Sequence, residues 1–143
     1  MVIAVDDSNS MGIVRLFNEP IGQKYLSKKG VPAEIIEKLP LMGISSVANM
    51  IMAIKFAKYY ELTEKDIVLT VFTDSMELYG SLKLFFGPYD EADAAVDFHR
   101  NLQALTTDYM QELTYQDRKR IHNLKYFTWI EQQGKDIEEL DAQ

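Results

Sequence analysis

Leu41-Met42-Gly43-Ile44-Ser45-Ser46-Val47-Ala48 opens the stretch whose reading decides the fold, and Ile67-Val68-Leu69-Thr70-Val71-Phe72-Thr73-Asp74-Ser75 closes it. Glycine at 43 leaves room for another group to approach the backbone, and Ser45 or Ser46 offers a hydroxyl that caps a helix. Over residues 47–60 apolar side chains cover most faces, with Lys55 and Lys58 the late interruptions, which predicts a buried helix. Residues 61–66 form a polar connector. The nearly continuous β-branched and apolar run 67–72 reads as a strand covered on both faces, the pattern of parallel sheets. Thr73-Asp74-Ser75 then falls at the carboxyl end of that strand, the edge at which open α/β sheets bind ligands.

Upstream, Val2-Ile3-Ala4-Val5 reads as a short buried strand that stops at Asp6-Asp7. Those acids suit a strand end and the start of a helix better than a catalytic pair, because carboxylates favour the positive end of a helix dipole. Ser8, Asn9 and Ser10 offer caps for a helix carrying Met11, Ile13, Val14, Leu16 and Phe17. Pro20 opens a second helix to about Ser27, Gly30 stands just past its end, and Pro32 starts a short helix through Lys38. A chain that begins inside a core strand leaves one strand edge uncovered, so a cut before Met1, with the remainder in the same or another chain, is expected.

Downstream, a helix over 76–86 presents Leu78, Tyr79, Leu82, Phe85 and Phe86 before Gly87-Pro88. Residues 90–93 read as a capped start for a helix carrying Ala94, Ala95, Phe98, Leu102 and Leu105. Thr106-Thr107-Asp108 breaks it, with Tyr109, Met110 and Leu113 continuing the apolar face. Residues 114–117 have the cap-plus-acid spacing of a further helix that runs toward Gly134. Residues 136–143 form a frayed turn. The expected class is therefore α/β: a small parallel sheet of two or three strands, at 2–5, around 41–42 and at 67–72, layered with helices. Residues 1–86 form this partial domain. Residues 87–143 form a helical extension that packs on it or on a partner.

Composition narrows the function. A net charge of −7 repels a phosphate backbone, which argues against nucleic acid. No apolar run approaches the length of a membrane span, and the first residues carry no basic leader, so a cytoplasmic location is expected. Without cysteine there is no thiolate chemistry and no Cys-ligated metal. His99 and His122 stand alone without metal-ligand spacing, so no metal site is expected. Arg118, Lys119, Arg120, His122 and Lys125 with Tyr126, Phe127 and Trp129 form a basic, aromatic cluster suited to docking on another part of an enzyme.

Gly43-Ile44-Ser45-Ser46-Val47-Ala48 resembles the Gly-Ile-Ser-Ser-Gly-Ala turn of the cysteine synthase family, pyridoxal-phosphate enzymes that share a fold with the tryptophan synthase β subunit. Residues 68–75 resemble that family's late strand, which ends in a Pro-Asp-Ser or Pro-Ser-Ser element. Both occur in the family's order and at similar spacing, over roughly the first 85 residues. The resemblance implies that the Ser75 hydroxyl meets the pyridine nitrogen of pyridoxal 5'-phosphate and that Gly43, Ile44 and Ser45 pack beside its ring. A neutral hydroxyl makes the ring a weaker electron sink than a carboxylate would, which favours β-elimination and β-replacement over transamination. Val47 stands where the family has its second glycine.

The family's Schiff-base lysine and its Gly-Thr-Gly-Gly-Thr-like phosphate loop are absent from this sequence, and Ser81-Leu82-Lys83-Leu84 is only a superficial echo. The first expectation is accordingly the C-terminal part of a pyridoxal-phosphate enzyme acting on an amino acid. It is inactive alone, has no catalytic residue of its own, and is completed by the rest of the chain or a complementary subunit in a homo-oligomer. The alternative is a non-catalytic binding or subunit-assembly module on the same core. An independent nucleotide-binding domain lacks its glycine-rich loop, since Val5-Asp6-Asp7-Ser8 stands after the first strand.

Overall fold

The computed structural model describes residues 1–142; Gln143, the last residue of the expected terminal turn, lies outside them. The chain forms two compact units, residues 3–109 and residues 110–143 together with Met1 and Val2.

The larger unit is organised around α1 (Asp7–Asn18). Its apolar spacing puts Ile13, Val14, Leu16 and Phe17 on a common buried side, and each is almost fully withdrawn from solvent. Asp6 is the N-cap, its carboxylate accepting from the Ser8 N–H at 2.7 Å, so the acids do serve the helix start. Around α1 pack α2 (Pro20–Lys28), α4 (Ile44–Tyr59) and α5 (Glu91–Phe98), with the single turn α3 (Ala33–Ile36) and a 3-10 turn at Leu39–Leu41 closing one end. Leu26, Met42, Val47, Ile51, Met76, Ala94 and Leu105 complete one core. Pro20 opens α2, and Gly30, at φ 87°, follows its end in the left-handed region that glycine tolerates. The 76–86 helix is instead a 3-10 segment, Met76–Phe85, broken at Tyr79.

The smaller unit holds α6 (Tyr115–Tyr126), a π-helical continuation Phe127–Gln132 and α7 (Ile137–Asp141). Thr114 and Asp117 form a reciprocal capping box at the start of α6, as the spacing predicts. The same device, Asp90 with Asp93, opens α5.

The expected α/β class does not hold. The molecule is mostly helical, and the sheet among the described residues is a two-stranded antiparallel ladder of β1 (Val2–Ile3) with β2 (Met110–Gln111). The expectations tied to it fail as well. Val2 is 48% exposed, so the first strand is not a core strand, and Met110 belongs to a strand and not to a helical face. Residues 41–42 are a 3-10 turn and its exit.

The run 67–72 forms no strand: no backbone–backbone hydrogen bond joins it to another segment among the described residues, and its Val71 carbonyl accepts from the Asn49 side chain of α4 at 2.9 Å. Ile67 and Leu69 are 94% and 90% exposed, while Val68 is the more covered residue between them. Val68, Leu69 and Thr70 border Met52, Ala53 and Phe56 of α4. A ladder needs a second strand at its edge, and this edge has none among the described residues. α4 is correspondingly buried along Val47, Ile51 and Lys55, and not all round.

Candidate functional site

The two motifs that carry the family resemblance meet in space. Gly43 is the N-cap of α4 and has no side chain to cap it. The missing cap comes from Asp74, thirty-one positions on: its carboxylate accepts from the Ser45 N–H at 2.9 Å, the Ser46 N–H at 2.7 Å and the Ser46 hydroxyl at 2.6 Å. The Tyr79 hydroxyl donates to it at 2.9 Å. The Gly43 N–H and the Ser46 hydroxyl also reach the Asp74 carbonyl, at 3.0 and 2.8 Å. Ser45 and Ser46 are thus capped residues of the first helical turn, where the sequence had suggested that one of them does the capping.

The approach is so close that a Cβ on Gly43 would stand 2.5 Å from the Asp74 carboxyl carbon. Glycine at 43 is needed for this contact, whatever else approaches the turn. Partial burial of Asp74 raises its pKa, but the donors from Ser46, Ser45 and Tyr79 outweigh it and lower the pKa to about 2. In return, the hydrogen bond to Asp74 raises the pKa of Tyr79. A carboxylate at a helix N-terminus also meets the dipole favourably.

Ser75 turns the other way. Its hydroxyl oxygen accepts from the Glu77 N–H at 3.3 Å, and its carbonyl accepts from the Leu78 N–H, so it opens the 3-10 segment. It also lines a groove of about 660 Å³ whose apolar walls include Ile35, Leu39, Leu41, Met42, Phe72 and Leu78. That volume falls within the usual range for small-molecule sites. Thr73 and Lys38 line the groove as well. Of the four residues expected at a cofactor, Ser75 is on the groove wall. Gly43 and Ser45 are bound to Asp74 through their backbone N–H groups, and Ile44 packs against the core.

Toward the ring of pyridoxal phosphate the groove offers apolar walls and the Ser75 side chain. The phosphate is not provided for, because the N-terminus of α4, the natural anion cradle beside it, already holds the Asp74 carboxylate. His99 and His122 are both exposed, and no three metal-binding side chains come together among the described residues. No helix among them is long and apolar enough to cross a membrane. The chain finds no match among family models, curated proteins or solved structures.

Sequence reasoning missed Asp74 as the tie between the motifs. An acid two residues past an apolar run is common, and only the cap-less glycine at 43 hints that α4 needs a distant acceptor. It also missed Lys55, which is 5% exposed and is described below.

Proposed function

We propose that this chain is the C-terminal part of a pyridoxal-phosphate-dependent enzyme of the cysteine synthase kind, acting on an amino acid in the cytoplasm. A further stretch of polypeptide, in the same or a complementary chain of a homo-oligomer, supplies the Schiff-base lysine and the phosphate loop. One observation carries the reading: the Gly43 turn and the Asp74-Ser75 element, which resemble two elements of that family's cofactor site, are hydrogen-bonded to each other across 28 residues or more of sequence.

Pyridoxal phosphate, when bound, supplies the electron sink for β-elimination or β-replacement on an amino acid. The work of this chain is positioning. Ser75 presents a neutral hydroxyl at the groove wall, able to donate to a ring nitrogen without protonating it. Asp74 has its carboxylate engaged at α4 and is withheld from that role. Phe72, Leu39 and Met42 give a ring its apolar walls.

A second reading, a non-catalytic assembly module, draws on the exposed apolar run at Ile67 and Leu69. A patch of this kind marks an interaction surface. The test that separates the two is purification of the native gene product with an antibody raised against this chain, followed by its mass and its content of alkali-released pyridoxal phosphate. A product several times larger than this chain with about one cofactor per chain supports the enzyme. A product of this chain's own size without cofactor supports the module.

A further inference from the structure

Lys55 is a cation in a place where cations are rarely left alone. It lies on the buried side of α4 at 5% exposure. Its ammonium donates to the carbonyls of Ala4 at 2.8 Å and Asp108 at 2.6 Å, tying the entry of the larger unit to the loop after the π-helical turn His99–Gln103. Both partners are neutral. An ammonium has three N–H donors, and the third has no acceptor among the described residues. Buried charges ordinarily carry a counter-charge, because taking them out of water is costly.

Beside the amine lies a cavity of about 240 Å³, room for about eight waters at roughly 30 Å³ each. Its wall carries a second cation, Arg100, which makes no hydrogen bond or ion pair among the described residues, and the side chain of Asn9, likewise without a partner among them. Asp6 is also on the wall; its carboxylate caps α1 through the Ser8 N–H and is attracted to Arg100, so it offsets one of the two positive charges and leaves the other. Tyr109 on the rim sits at φ 58°, a left-handed conformation that non-glycine residues seldom adopt. Such outliers concentrate at functional sites.

We propose that this cavity binds a small oxyanion, a carboxylate or phosphate group, held by the Lys55 ammonium, the Arg100 guanidinium and the Asn9 amide. With Lys55 and Arg100 set against Asp6 the lining carries a net positive charge in a chain whose net charge is −7, so the affinity is local and not a property of the surface. A fork of guanidinium donors suits two-oxygen acceptors, and a partly dry amine strengthens each contact. The inference is independent of the cofactor reading: its groove is lined by other residues, and failure of either leaves the other standing.

The test titrates the full chain with inorganic phosphate and, separately, acetate, at constant ionic strength balanced with chloride, and follows backbone amides and the Arg100 side chain by NMR. Saturable shifts confined to Asn9, Lys55, Arg100 and Thr106 are expected with at least one anion at millimolar concentrations. Arg100→Gln, at an exposed position and with folding checked by the dispersion of the same amide spectrum, weakens that binding by about tenfold or more. Which anion saturates tells phosphate from carboxylate. Lys55→Met removes two hydrogen bonds of the fold and is not relied on. Absence of saturation with both anions up to about 100 mM, two decades above a typical millimolar dissociation constant, overturns the proposal. So does an Arg100→Gln chain that titrates like the unaltered one.

Discussion

Replacing Asp74 by asparagine keeps the shape of the side chain and removes its charge, which isolates what the carboxylate does for the N-terminus of α4. Asp74 accepts from two backbone N–H groups and two hydroxyls. Its pKa is lowered from the ordinary 3.8 to about 2, burial working against the donors and losing. At about 1.36 kcal/mol per pKa unit that difference corresponds to roughly 2.4 kcal/mol. Asp74 is partly open to water, and screening leaves about 1–2 kcal/mol.

The sign follows from linkage. A carboxylate with a folded pKa below its unfolded value stabilises the fold fully above about pH 4 and loses that contribution as pH falls through 3.8 toward 2. Urea unfolding of both proteins at pH 7 and near pH 2 therefore gives Asp74→Asn a deficit of about 1–2 kcal/mol at neutral pH that mostly disappears in acid. Taking the difference between the two proteins cancels the other carboxylates. A deficit below about 0.3 kcal/mol at pH 7, or one of equal size at both pH values, would refute the reasoning.

The other expectations rest on single contacts. Gly43→Ala puts a methyl 2.5 Å from the Asp74 carboxyl carbon and destabilises by about 1–3 kcal/mol; the Gly43→Ala, Asp74→Asn double variant loses less than the sum, since both changes break one contact. Arg15 donates to the Gly87 and Pro88 carbonyls at 2.7 and 3.1 Å and lies over the Tyr89 and Phe86 rings. Arg15→Ala should cost about 2 kcal/mol in urea unfolding. Leu69→Lys, at a residue 90% exposed, should leave the stability of the isolated chain within about 0.5 kcal/mol and yet lower the native mass of the product purified from the source cell.

What the sequence made legible is what depends on neighbours along the chain. The buried stripe of α1, the proline at the start of α2, the glycine at 30 and both capping boxes follow from spacings of three or four residues, and the structure has each of them. Strand pairing does not work that way. Ile67-Val68-Leu69-Thr70-Val71-Phe72 has the composition of a buried strand, but a sheet is set by partners remote in sequence, and none among the described residues reaches its edge. The run lies beside α4 without strand structure, while two residues at each of two other places form the ladder.

The candidate site was legible in the same divided way. Ser75 lines a groove, and the Gly43 turn lies next to the Asp74-Ser75 element. The agent of that proximity, the Asp74 carboxylate, is a long-range cap that no local spacing announces. Lys55 read as an interruption in an apolar helix, whereas two carbonyls from distant loops make it one of the most buried polar groups in the chain.

The central claim is that the cofactor-bearing lysine lies on polypeptide outside this chain while Ser75 serves the cofactor's ring. The direct measurement is borohydride reduction of the native product, purified through this chain, followed by peptide mapping of the pyridoxyl-labelled lysine. The account predicts a single label on a peptide outside residues 1–143. A label on any lysine of this chain, Lys38 on the groove wall foremost among them, or no label in the product at all, would contradict it.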